Sequence, residues 1–152
     1  MAEAISLVAN VLAVIQLAER VASICKFYIG EADDYPKDLR LIYVEIASLK
    51  VIFEGLSFLN PGSDQEEAAA LKALQGKNGP IQGCKQAVEE LGKLLPPVPL
   101  DPSVSGRLRK EKLKMALASL AWPLKASTAQ QLLEEINQYK ATISVAMQGQ
   151  LS

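Results

Sequence analysis

From Ala4 to Ala18 (AISLVANVLAVIQLA) the chain carries no charge, and only Ser6, Asn10 and Gln16 are plainly polar. A surface helix ordinarily shows charges along its wet face, whereas one apolar nearly all round belongs to a core or seeks a membrane. At about 100° per residue, Ile5, Leu7, Val8, Val11, Leu12, Val14 and Ile15 cover well over half the circumference. Ser6 and Asn10, four apart, mark a narrow polar seam headed by Glu3. The apolar pattern continues through Val21, Ile24, Cys25 and Tyr28, which predicts a first helix from near Ala2 to about Ile29, ended by Gly30.

Further helices follow. Asp33 and Asp34 before Pro36 make an acidic cap with a proline in the first turn. Leu39, Ile42, Ile46, Leu49, Phe53, Leu56 and Leu59 then recur at spacings of three and four, a second amphipathic helix stopped by Asn60-Pro61-Gly62. Ser63 or Asp64 can cap a shorter third helix running to Gln75-Gly76, with Glu66 and Glu67 favourably placed in its first turn. After a turn at Asn78-Gly79-Pro80, a fourth helix puts Ile81, Cys84, Val88, Leu91 and Leu95 on one face. Pro96, Pro97, Pro99 and Pro102 stiffen a connector over 96–106. A fifth helix is expected from about Ser105 to Trp122, broken or kinked by Pro123. Ser127 or Thr128 is expected to cap a last helix with the stripe Leu132, Ile136, Tyr139, Ile143 and Met147. No segment alternates with period two, so the fold class is all-α: one bundle over residues 1–152 with three long helices and several shorter ones.

The uncharged run fits neither a signal nor an anchor. A secretory signal opens with a basic region, and this chain opens Met-Ala-Glu-Ala. Residues 4–18 rise about 22 Å, short of a hydrocarbon core of about 30 Å, and Glu19 and Arg20 close the run. The residues therefore favour a soluble intracellular protein. Either the helix is a buried strut, or it is a core helix that can be released into lipid, a step made topologically cheap by its place at the start of the chain.

Composition sharpens this. The chain is rich in Leu, Ala, Ile and Val but holds one Trp, four Tyr and three Phe, a balance that favours helices over sheet. Its net charge of −1 sets up no field toward nucleic acid. Cys25 and Cys84 stand far apart and read as two free buried thiols. There is no histidine, so His-assisted nucleophiles, His-ligated zinc and His-containing di-iron sites are excluded, and two cysteines cannot form a four-thiolate site. No catalytic, cofactor or metal residue is assigned. The acidic pairs at 33–34, 66–67, 89–90 and 134–135 point about 100° apart on a helix and suit caps and wet faces. Gly76-Lys77-Asn78-Gly79 lacks the remaining residues of a phosphate loop.

The run from Arg107 to Lys114 holds five cations (Arg107, Arg109, Lys110, Lys112 and Lys114) against one anion, Glu111. It reads as a solvated face, or as a contact for anionic headgroups, at about 1 kcal/mol per cation. Nucleic acid is disfavoured because no aromatic residues interleave with the cations.

Several segments carry a resemblance. The opening MAEAISLVANVLAVIQLAERVASICKFYIGEADDYPKDLRLIYVEIASLKVIFEGL includes Asp34-Tyr35-Pro36-Lys37-Asp38-Leu39 and Glu45-Ile46-Ala47-Ser48-Leu49-Lys50. Later come Trp122 to Lys125, Leu132-Leu133-Glu134-Glu135-Ile136, and Lys140 to Met147. Together these resemble the N-terminal helical domain of fungal NLR-like STAND proteins, in the HeLo and HeLo-like group, over nearly the whole chain. Pro123 departs from the usual pattern.

The resemblance implies a helical bundle similar to the executioner domain of the necroptosis pseudokinase. It implies a programmed-cell-death or heterokaryon-incompatibility effector of innate-immune type, cytoplasmic and autoinhibited until oligomerisation exposes its first helix to the plasma membrane. It also implies a nucleotide-binding module and repeats downstream in the full protein. The alternative from the residues is a non-lytic helical adaptor that dimerises or docks a neighbouring domain. An enzyme is disfavoured.

Overall fold

The computed structural model describes residues 2–31, 37–58, 73–74, 76, 79–95, 111, 115 and 122–151. Most of them fall in four helices: α1 (Ala2–Glu31), α2 (Asp38–Ser57), α3 (Pro80–Leu94) and α4 (Trp122–Leu151). No strand occurs among the described residues.

Each helix presents one buried seam with spacings of three and four. On α1 it is Val11, Val14, Ala18, Val21, Cys25 and Tyr28; on α2 it is Leu39, Ile42, Ile46, Leu49, Phe53 and Leu56. Ile81, Cys84, Val88 and Leu91 form the seam of α3, continued by Leu95 just beyond its end. Ala129, Leu132, Ile136 and Ile143 form that of α4, with Tyr139 and Met147 packed against the same core. An average step of 3.5 residues keeps a seam facing its neighbours along a whole helix, which is how such helices bundle.

Packing order gives the topology. α1 lies against α2 and α3, and α4 lies against α3 and α2, so α1 and α4 occupy opposite corners of a four-sided bundle. Glu45 faces Lys140 and Gly55 faces Met147, so α2 and α4 run parallel. Ala13 and Gln16 share a groove with Lys85, while Val21 and Ile24 lie beside Gly92 and Lys93, so α1 and α3 also run parallel. Glu19 meets Lys50 across the α1–α2 pair, 3.3 Å apart, as expected for two antiparallel helices joined by a short connection. The bundle is thus two antiparallel helix pairs, α1–α2 and α3–α4, laid side by side.

Element boundaries depart from expectation in several places. α1 runs one turn-fraction past Ile29, with Gly30 inside it. α2 begins at Asp38, later than the expected acidic cap; Lys37 holds helical dihedrals and its carbonyl accepts the Arg40 N–H at 3.1 Å. Asp33, Asp34 and Pro36 lie outside the described residues. α2 ends at Ser57, before Asn60-Pro61-Gly62.

The expected turn before α3 is present. Gly79 N–H donates to the Gly76 carbonyl at 2.8 Å and Pro80 opens the helix. A Cβ on Gly79 would lie 2.6 Å from the Leu74 carbonyl oxygen, so only glycine closes this turn unstrained.

At the other end of the chain, neither Ser127 nor Thr128 caps a helix, because α4 already runs through both; the break expected at Pro123 concerns a helix over 105–122 that lies almost wholly outside the described residues. The third helix over 63–76 is described only at Ala73 and Leu74, which are helical, and at the bend at Gly76. The 96–106 connector and nearly all of the fifth helix lie outside the described residues.

Candidate functional site

The outer face of α1 is the candidate. Its seven sequence-predicted lipid-seeking residues do not form one surface. Val11 and Val14 are buried in the core and Ile15 is half-buried against it, whereas Val8 and Leu12 are 49% and 46% exposed. Ile5 and Leu7 lie within α1, outside the residues whose side chains are described. The all-round apolar strut is therefore corrected: α1 buries a stripe and leaves apolar side chains in water.

The polar seam also moves. Asn10 is half-buried on the core side, and the exposed face instead reads Val8, Leu12, Gln16, Glu19 and Ser23. Successive residues along that line are three or four apart and stack on one side of the helix. Its N-terminal half is apolar where its C-terminal half is polar. Lys50 of α2 clamps the polar half, 3.3 Å from Glu19 and 3.6 Å from Glu54. The hydrogen bond to Glu19, with the charges of Glu19 and Glu54, holds the Lys50 ammonium above the ordinary lysine range.

Length bears on the same helix. The stretch Val8–Gly30, 23 residues, is long and apolar enough to cross a membrane by length and composition. At 1.5 Å per residue it spans about 34 Å. Core helices of soluble proteins and signal sequences meet the same criterion. Glu19 and Arg20 stand at its middle, and ionised side chains at a bilayer centre cost about 2.5–3.5 kcal/mol each. Lying in the interface with its apolar side down avoids that cost.

The remaining chemistry is sparse. Cys25 and Cys84 are free, buried thiols, as expected. Loss of hydration pushes both up to about 12, slightly offset by a backbone hydrogen bond at Cys25 and by the Lys140 charge near Cys84. Such thiols are protonated and poor nucleophiles at neutral pH. No cluster of three or more His, Cys, Asp or Glu that could hold a metal ion occurs among the described residues.

Arg107, Arg109, Lys110, Lys112 and Lys114 lie outside the described residues, so their expected headgroup contact has no geometry; of their neighbours, Glu111 and Met115 are helical and exposed.

What sequence reading missed is on α2. Leu41, Val44, Val51 and Phe58 all point outward. The signal was available, since Val44, Val51 and Phe58 are seven apart, but the stronger seam from Leu39 to Leu56 masked it.

No family model matches the chain, and neither does any curated protein or solved structure.

Proposed function

We propose that this chain is a membrane-targeting effector domain of the programmed-cell-death type, resembling the N-terminal domains of fungal NLR-like proteins and sharing a HeLo-like bundle. In this proposal it is cytoplasmic and soluble at rest. On oligomerisation α1 turns its apolar side to an anionic plasma membrane, with the basic segment 107–114 on the headgroups and a nucleotide-binding module downstream in the full protein. Its main support is the exposure of Val8 and Leu12 on a helix whose Val8–Gly30 stretch is apolar enough for lipid. Dye release from anionic liposomes tests it, with Val8→Glu and Leu12→Glu as variants. Release by the native chain and loss in both folded variants is the expected result; no release, or release indifferent to both variants, rejects it.

A non-lytic helical adaptor is the second reading. It is favoured by the six side chains that α1 commits to the core, from Val11 to Tyr28. Hydrogen exchange across α1 with and without liposomes separates the two: protection equal to that of α2 in both conditions supports the adaptor.

A further inference from the structure

The wet side of α2 repeats the pattern of its buried side. Leu41, Val44, Ser48, Val51, Gly55 and Phe58 step along the helix by three and four, a second seam about 160° round from the first. Its large members are among the most exposed apolar side chains described: Leu41 57%, Val44 60%, Val51 66% and Phe58 86%. Ser48 and Gly55 are small and half-covered by α4, where Ser48 Oγ accepts from Lys140 and Gly55 sits beside Met147. Scattered exposed apolar residues need no explanation, but a heptad-spaced row of them is the seam by which helices pair.

Charge identifies the occupant. Arg40 and Glu54, both exposed, lie on the same flank of this seam two heptads apart. In an antiparallel pair related by a two-fold axis, residues on one flank meet residues on the same flank of the other copy. The register that sets Arg40 against Glu54 of a second copy does so twice. It also places Leu41 against Val51 and Val44 against Ser48, and brings the two Ala47 residues together at the axis, where small side chains permit close approach. Apolar layers and ion pairs are satisfied in one register, the self-complementarity an isologous contact requires.

We propose that α2 pairs antiparallel with α2 of a second copy of this chain, through Leu41, Val44 and Val51, locked by reciprocal Arg40–Glu54 ion pairs. The proposal supplies a face for the self-association in the preceding reading, and it stands whether or not the bundle acts on lipid. From Arg40 to Glu54 the paired stretch is about 21 Å long, which buries less than about 1,200 Å² and makes the dimer reversible rather than obligate.

Sedimentation equilibrium in lipid-free buffer tests it, over a concentration series. The native chain shows a monomer–dimer equilibrium. Val51→Glu, well exposed and hence folded by circular dichroism, abolishes it. Arg40→Glu and Glu54→Arg each weaken it at least about tenfold, and the double reversal restores it to within about threefold of native. A monomer at every concentration overturns the proposal, as does a dimer indifferent to Val51→Glu. Equal dimerisation by single and double reversals overturns the register. A native monomer whose liposome binding is lost on Val51→Glu also overturns it, marking the face as lipid-binding. Dimerisation without dye release in the liposome assay leaves this inference standing and rejects the lytic reading.

Discussion

Lys140 of α4 places its ammonium 2.8 Å from Oε2 of Glu45 and 3.2 Å from Oγ of Ser48, both on α2. The lysine side chain is only 12% exposed, whereas the glutamate is 32% exposed. The two partners therefore differ in what each suffers if left alone. A stranded Glu45 can hydrate; a stranded Lys140 keeps only a hydroxyl.

Removal of the anion is expected to cost more than removal of the cation. Glu45→Ala should destabilise by about 2 kcal/mol, Lys140→Met by about 1 or less, and the pair together by less than their sum. Urea denaturation of the three variants measures this. A larger cost for Lys140→Met than for Glu45→Ala would contradict the stranded-charge account.

Gly83 and Tyr139 make a sign-reversing test of how α3 and α4 pack. A Cβ on Gly83 would come 2.7 Å from both Cε2 and the hydroxyl oxygen of Tyr139. Gly83→Ala should gain about 1 kcal/mol of helix propensity but lose about 1–3 to overpacking, a net destabilisation. In a Tyr139→Ala background the obstruction is gone, and the same change should stabilise by up to about 1 kcal/mol. Thermal melts of the four proteins compare the two backgrounds; the same sign in both would mean the ring moves aside freely.

The buried thiols set an alkaline limit. Folding raises Cys25 and Cys84 from 9.0 to about 12. Above pH 9 the unfolded chain releases these protons and the folded chain retains them, so alkali favours unfolding. The stability they contribute is complete below pH 9 and is lost as pH rises toward 12. At pH 10.5 the loss is about 2 kcal/mol per thiol. Urea midpoints under reducing conditions at pH 8 and 10.5 should therefore converge more closely for Cys25→Ala/Cys84→Ala than for the native chain. Parallel behaviour of the two proteins contradicts the assignment.

Along α1, neighbouring apolar residues should respond very differently to charge. Leu12→Glu, on the wet face, is expected to change stability by less than about 0.5 kcal/mol. Val14→Glu, wholly buried, should cost more than about 4 kcal/mol and unfold the bundle. Circular dichroism and urea titration decide this, and equal tolerance of both would contradict the burial pattern.

Periodicity alone determined a good deal. The three-and-four spacing of Leu39 to Leu56 named the buried seam of α2 residue by residue, and that of Ile81 to Leu95 named the buried side of α3 except Ala87. The stripe of α4 was named as well, though its Tyr139 and Met147 lie at the margin of the core. These were legible because each seam is set against a polar opposite face, and the contrast lies within a single helix.

On α1 that contrast is missing before Glu19, so an outward Leu12 and an inward Val14 look alike in sequence. Only packing against α2 and α3 separated them. The second seam of α2 was visible as spacing, but its exposure was not, because what covers a face is decided by elements distant in the chain. The same holds for Lys140, an ordinary surface-type residue in sequence and a nearly buried ion-pair partner in the bundle. A helix carries the angular relation of its own side chains, while the neighbour opposite each face is a property of tertiary structure alone.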